Sequence, residues 1–343
     1  MIVSVALCAL LVPAILAGQG TLVTDSVSSP ALASNVVGEK QTRQVLVYMP
    51  PSYRRNPTQR YPVLYLLHGA TSLPMEWIDG SYQGLDLRIA VDSLVAAAAI
   101  PEFIVVMPDA NNVIQASFYA NSPATGNWED FVVRDLVRYI DGHYRTEANA
   151  SRRALVGHSM GGFGALTIGF DHPALFGLVY AVSPCCLGFV GRLAESSPAW
   201  RTLSTIKRWQ DAPGQVGIVL GIASALDGSA TDPRLFAELP FDARPDGSTA
   251  PNAQVQSRWL ARMPPARASA MVGRGDRQPV ILLEAGSEER EILAGIQLLR
   301  SRLDSLGIRY SDTTFMGGHI DRVRERFTQH MLPTVARWFR SRP

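Results

Sequence analysis

Gly157-His158-Ser159-Met160-Gly161-Gly162 is the stretch whose residue types and spacing could do chemistry. It is a G-x-S-x-G run, and such a run recurs by chance in unrelated chains, so its flanks decide its meaning. Arg153-Ala154-Leu155-Val156 before it reads as a short buried strand. Met160–Phe170 after it reads as a helix rich in Ala, Leu and Ile. A serine at a sharp strand-to-helix turn is a nucleophile elbow, whose flanking positions must be small because the strand and helix backbones nearly touch. The strained turn lifts the hydroxyl clear of the sheet. The helix N-terminus behind it offers free N–H groups to a developing negative charge.

Serine is a poor nucleophile at neutral pH and needs a base within hydrogen-bond reach, usually a histidine. The chain has six. With the order serine, acid, histidine, His68, His143 and His158 drop out. His172 lies thirteen residues beyond Ser159 on one helix, roughly 20 Å away at a rise of about 1.5 Å per residue. His330 falls inside the final amphipathic helix. His319, in Met316-Gly317-Gly318-His319-Ile320-Asp321, follows a strand, and its glycines let the backbone turn the imidazole back over the sheet. The acid should leave the end of the preceding strand, where Val280–Leu283 runs into Glu284-Ala285-Gly286-Ser287-Glu288-Glu289. The spacing G-x-x-acid points to Glu289, with Glu288 as rival. Either glutamate could instead serve the start of the following helix, where carboxylates are favoured. An oxyanion hole needs two N–H donors. Met160 supplies one, and Ala70, in His68-Gly69-Ala70-Thr71 after the strand Val63–Leu67, is the candidate for the other.

These groups need a scaffold that brings distant strand ends together. Strand patterns at Thr21–Ser28, Gln44–Met49, Val63–Leu67, Ile104–Met107, Arg153–Val156, Leu178–Val182, Val280–Leu283 and Tyr310–Phe315 alternate with helical ones. The helices are expected at Leu87–Ala98, Trp128–His143, Met160–Phe170, Arg290–Ser305 and Arg322–Arg340. That alternation predicts an α/β fold with a mostly parallel central sheet flanked by helices. Several strands are continuous apolar runs, as expected where both faces are covered. The first two should form an antiparallel edge pair. Trp128, Phe131, Val132, Leu136, Tyr139 and Ile140 share one helical face, which makes Trp128 a core anchor. From 187 to 278 the pattern breaks into short pieces such as Ala199–Gln210 and Asn252–Ala261. That stretch reads as a partly helical insertion over the carboxyl edge of the sheet, within a single domain spanning 19–343. With Ser117-Phe118-Tyr119-Ala120-Asn121-Ser122 it should line the pocket. His158, Phe118, Tyr119 and Asn121 are the candidate substrate-binding residues, although the aromatics could simply pack.

Composition narrows the partners. A net charge of +2, with no basic run interleaved with aromatics, argues against nucleic acid. No Cys or His spacing suggests zinc, and the chemistry above needs no metal or organic cofactor. Residues 1–18, MIVSVALCALLVPAILAG, are almost wholly apolar and read as a secretory signal peptide cleaved after Ala17 or Gly18, although no Lys or Arg precedes the apolar run. The expectation is a secreted or periplasmic protein with no stable membrane span after leader removal. Cleavage would leave Cys185-Cys186 as the only cysteines, either two free thiols or a vicinal disulfide. The sequence does not set the oligomeric state.

Tyr61-Pro62-Val63-Leu64-Tyr65-Leu66-Leu67-His68-Gly69, Val106-Met107-Pro108-Asp109, Trp128-Glu129-Asp130-Phe131, Asp141-Gly142-His143-Tyr144-Arg145, the elbow and Gly317-Gly318-His319 together match one pattern. From about Ser28 to the C-terminus the chain resembles the esterase D family of α/β-hydrolases. That group includes feruloyl and acetyl xylan esterases of carbohydrate esterase family 1, S-formylglutathione hydrolase and the antigen 85 mycolyltransferases. The resemblance implies Ser159 as nucleophile, His319 as base and an acid at Glu289, acting on a small-molecule or polymer-linked ester. A glutamate as acid is closer to antigen 85 than to most esterases of the group. Two rival functions follow. One is an acyltransferase passing the acyl group to an alcohol. The other is a non-catalytic binding protein, which would usually have lost the Ser, the His or the oxyanion glycine. S-formylglutathione hydrolase works in the cytosol, so the leader disfavours it.

Overall fold

The computed structural model describes residues 18–273 and 278–342. The expected leader, apart from Gly18, lies outside them. Thr21–Ser28 (β1), Thr42–Met49 (β2), Val63–Leu67 (β3), Ile104–Pro108 (β4), Arg153–His158 (β5), Leu178–Val182 (β6), Val280–Gly286 (β7) and Ser311–Phe315 (β8) form one sheet. Their order is β1-β2-β4-β3-β5-β6-β7-β8. β2 pairs antiparallel with β1 and with β4, and every other pairing is parallel. This is the α/β-hydrolase architecture.

Side chains alternate across a strand, so each apolar run feeds two cores. Val63, Tyr65 and Leu67 of β3 face one cluster, with Ile104 and Val106 of β4. Leu64, Leu66, Val105 and Met107 face the other. The first cluster is covered by Arg290–Ser305, through Ile292, Ile296, Leu299 and Leu303, and by two further helices. Trp128–Asp130 continues through a π-helical turn, Phe131–Leu136, into Val137–His143 (together α2), and Met160–Asp171 forms α3. Trp128 is fully buried there, its indole N–H donating to the Thr125 carbonyl at 2.9 Å. The second cluster is covered by Leu87–Ala96 (α1) and by the C-terminal helix. The latter runs from Val323–Glu325 through a π-helical Arg326–Met331 into Leu332–Arg340.

The segment between β6 and β7 holds Ala199–Thr205 (α4), Gly214–Leu226 (α5), a short antiparallel pair, Phe241–Ala243 with Thr249–Pro251, and Ala253–Arg262 (α6). Trp200, Phe241, Trp259 and Phe189 stack into a small aromatic core. The helix expected over Ala199–Gln210 stops at Thr205 and resumes only as a turn at Trp209–Asp211. Sequence reading missed α5 because it is apolar nearly all round and has no period to detect. Its Gly221 packs against Ala116 and the Ile114 carbonyl, so this helix seals the loop after β4.

Candidate active site

The elbow is built by exclusion. Ser159 sits at φ 57°, ψ −116°, where a side chain is strained. A Cβ on Gly157 would strike the Gly161 carbonyl, and one on Gly161 would strike the Leu67 carbonyl. A Cβ on Gly162 would come within 3.0 Å of Pro184 Cα. Only hydrogens fit where β5 turns into α3 between β3 and β6.

The parallel register then sets the partners. Gly157 lies opposite Leu67 and Ala181, Glu284 lies opposite Val182 and Thr313, and Gly286 lies opposite Phe315. The loops leaving these strands therefore meet at one edge. His319 Nε2 lies 2.9 Å from Ser159 Oγ, and its Nδ1 lies 2.5 Å from Glu289 Oε1. Glu289 Oε2 accepts from the Ser183 hydroxyl and the Gly286 amide, each at 2.6 Å. Burial of Glu289 pushes its pKa up, but the hydrogen bonds from His319, Ser183 and Gly286 outweigh it and hold the carboxyl below its ordinary value. An ionised Glu289 makes Nδ1 the protonated nitrogen of a neutral His319, leaving the Nε2 lone pair toward the serine. Glu288 is exposed, and its amide donates to the Gly317 carbonyl at 3.0 Å. Glu289 precedes Arg290–Ser305 (α7) and makes no capping bond to it.

The loop after β3 is held from three sides. Buried His68 accepts from the Ala110 amide at Nε2 (2.9 Å) and donates from Nδ1 to the Gly69 carbonyl (2.8 Å). Burial keeps its pKa low, which suits this neutral tautomer. The Tyr119 hydroxyl donates to the His68 carbonyl at 3.2 Å, and the Thr71 amide to Gln115 at 3.1 Å. In a trans peptide, C=O and N–H point opposite ways. With the Gly69 carbonyl tied to His68, the Ala70 N–H is turned away from that ring. Among the described residues, neither the Ala70 nor the Met160 amide has an acceptor.

Of the four candidate substrate-binding residues, Phe118, Tyr119 and His158 are buried and Asn121 is half-buried. Phe118 and Tyr119 are fully buried, both at φ 50°. Phe118 packs edge-on against Phe163, and Tyr119 lies on Gly164 and braces His68. Asn121 is tied to Asp130 by two bonds of 3.1 Å, and its carbonyl accepts from Arg262. His158 is 2% exposed and bonds to the His319 carbonyl and to Tyr82. Phe118 and Tyr119 thus pack on α3, and His158 lies between Tyr82 and the His319 loop. Ser183 and Tyr82, which do touch the machinery, carry no sequence signal. Cys185 and Cys186 are free thiols.

Known proteins resemble this chain in sequence and in fold. Residues 34–319 match the esterase family model described as "Putative esterase". An esterase from Mycobacterium tuberculosis H37Rv is 27% identical over 285 residues, covering 81% of this chain and 52% of that protein. The chain thus spans about half the length of the curated relatives it matches first. An endo-1,4-beta-xylanase/feruloyl esterase from Xylanibacter ruminicola is 33% identical over 150 residues, 42% of this chain and 19% of that one. Among solved structures, a ferulic acid esterase superposes with a TM-score of 0.65 at 22% identity, covering 94% of this chain and 99% of its own. With more than half its length matched by the family model, on the fold those structures share, the chain belongs to this esterase family of α/β-hydrolases.

Proposed function

We propose that the chain is a serine carboxylic-ester hydrolase working through an acyl-enzyme. The carrying observation is the hydrogen-bond chain from Ser159 Oγ through His319 to Glu289, beside two amides without acceptors. An ester carbonyl oxygen points at the Ala70 and Met160 N–H groups. Ser159 Oγ attacks the carbonyl carbon as its proton passes to His319 Nε2. Glu289 keeps the imidazole oriented and balances its new charge. The two amides hold the oxyanion. His319 then gives the proton to the leaving alcohol oxygen as the C–O bond breaks, and water repeats the sequence to release the acid.

The substrate reading is an acyl or feruloyl ester of a carbohydrate. It is supported by the relative named a feruloyl esterase and by apolar side chains exposed on the loops around the site: Leu73 and Met75 after β3, Val113 after β4, Met316 and Ile320 beside His319. A panel of acetyl, longer acyl, feruloyl, acetylated-sugar and polyester substrates ranks the classes. Export rests on the apolar run at residues 1–18 and is checked by N-terminal sequencing of protein from the medium or periplasm. An intact Met1 on cytosolic protein ends that reading. The test of the chemistry is Ser159→Ala. It should abolish hydrolysis of p-nitrophenyl acetate and labelling by a fluorophosphonate, a loss of several orders of magnitude because the nucleophile acts as a unit with its base. Labelling at the wild-type rate would refute the assignment.

A further inference from the structure

One enclosed side chain links the loop of the serine, the loop of His319 and the long loop after β3. His158 immediately precedes the nucleophile. Its Nε2 lies 2.9 Å from the His319 backbone carbonyl, and its Nδ1 meets the Tyr82 hydroxyl. Tyr82 belongs to the long loop after β3, the loop that also presents Ala70, and its ring packs on Trp77 at 5.2 Å. A carbonyl only accepts, so His158 Nε2 carries a proton. Burial, then the neighbouring His319 ring at 4.7 Å, pushes the His158 pKa down to about 3. The ring is therefore neutral, Nδ1 is a bare lone pair, and the Tyr82 hydroxyl must donate to it. Burial also pushes the phenol's pKa well up, so it keeps its proton. The directions are thus forced: Tyr82 O–H to His158 Nδ1, then His158 Nε2–H to the His319 carbonyl.

The His319 loop needs such a tether. Gly317 is at φ 136° and Gly318 follows it, so the backbone before the base is permissive. Met316 and Ile320 are exposed, and the loop's other ties hold Met316, Gly317 and Gly318, not the His319 main chain. Among the described residues, His158 is the partner of the His319 carbonyl. We propose that Tyr82 and His158 form a positioning pair that clamps the main chain of the base, so that one imidazole reaches Ser159 and Glu289 together. The proposal rests on reading those three as the triad. A neutral clamp also suits the chemistry. The imidazolium formed at His319 during attack meets no second positive charge in the adjoining ring.

The test compares His158→Gln, His158→Leu, His158→Asn and Tyr82→Phe. A glutamine amide reaches close to the place of His158 Nε2 and can donate to the carbonyl. Leucine cannot donate, and asparagine stops short. Misplacing a reacting group by about 1 Å costs on the order of 10²-fold, so the Leu and Asn variants should lose about that much kcat with KM within about twofold. Gln should recover most of the loss, and Tyr82→Phe should lose about tenfold in kcat. Nitrogen-15 spectra of the histidines should show wild-type His158 as the Nε2–H tautomer, without titration from pH 8 to 5, and an Nδ1–H population in Tyr82→Phe. Equal kcat in Gln, Asn and Leu variants, or an Nδ1–H wild type, overturns the proposal. If Leu does not fold, the Gln–Asn contrast decides. A Ser159→Ala protein that still labels sinks the triad reading itself. A dead Ser159→Ala beside wild-type kcat in His158→Asn sinks the clamp alone.

Discussion

Glu289 uses its two oxygens differently, and this makes its replacement informative. Oε1 takes the His319 Nδ1 proton, while Oε2 takes donors from Ser183 and Gly286. A glutamine must place its carbonyl toward Gly286, because an amide N–H can only donate. Its NH₂ then faces His319 Nδ1 and forces the imidazole into the Nε2–H tautomer, which cannot take the serine proton. Glu289→Gln should lower kcat on p-nitrophenyl acetate by about 10²–10³-fold, somewhat less than the loss of order 10⁴ seen for an aspartate in a protease triad. Exposed Glu288→Gln should stay within about twofold of wild type, with folding of both checked by circular dichroism. Equal mild losses would remove Glu289 from the acid's role. The three residues named from order and spacing meet in the structure because each follows a strand end; mostly buried apolar runs mark the strands before Ser159 and Glu289, whereas the strand before His319, Ser311–Phe315, is polar and exposed except at Phe315. Ser183 and Tyr82 were not legible. Each meets its partner across a long stretch of chain, 106 positions for Ser183 and Glu289, and side-chain direction at that range is set by packing alone.

Elements marked by a period, a short apolar run or a neighbouring motif are legible in the sequence, and an apolar helix with none of these marks is not. Trp128–His143 announces its buried face at helical spacing, and the apolar strand runs announce a sheet covered on both sides. Gly214–Leu226 has no polar face to mark it. This helix packs through Gly221 on Ile114 and Ala116 of the loop after β4, where Phe118 and Tyr119 are buried against α3. The elbow carries the sharpest prediction at this scale. Gly161→Ala sets a methyl against the Leu67 carbonyl, where neither backbone can yield, and should cost more than the roughly 1–3 kcal/mol typical of overpacking. Gly142, in the last turn of α2, has open space around its missing Cβ. Gly142→Ala should therefore stabilise by about 0.5–1 kcal/mol through helix propensity. Urea denaturation of the pair gives opposite signs if the contacts are as described. A stable, active Gly161→Ala protein would mean that strand and helix are further apart.

The whole molecule feels its buried histidines through pH. The unfolded chain protonates His158 near its ordinary value of 6.5, whereas the folded protein refuses that proton down to about pH 3. Between those limits the unfolded state binds more protons, so stability falls as pH drops below 6.5, by about 1.4 kcal/mol per pH unit for one such group. His68 is lowered by burial and acts in the same direction. Unfolding midpoints at pH 7, 6 and 5 should decline, and His158→Gln should flatten the decline by about one proton. An unchanged slope would show that His158 titrates normally in the folded state. The long reach of the triad also imposes an order in time. Ser159 and its base are 160 positions apart, and the base follows β8, the last strand laid on the sheet. At about 5–20 residues per second on the ribosome, the nucleophile waits roughly 8–32 seconds for its partner. A nascent or prematurely terminated chain that ends before His319 holds a serine with nothing to deprotonate it. On the proposed mechanism, ester cleavage begins only after nearly all of this sequence has been translated and Ser311–Phe315 has found its neighbour.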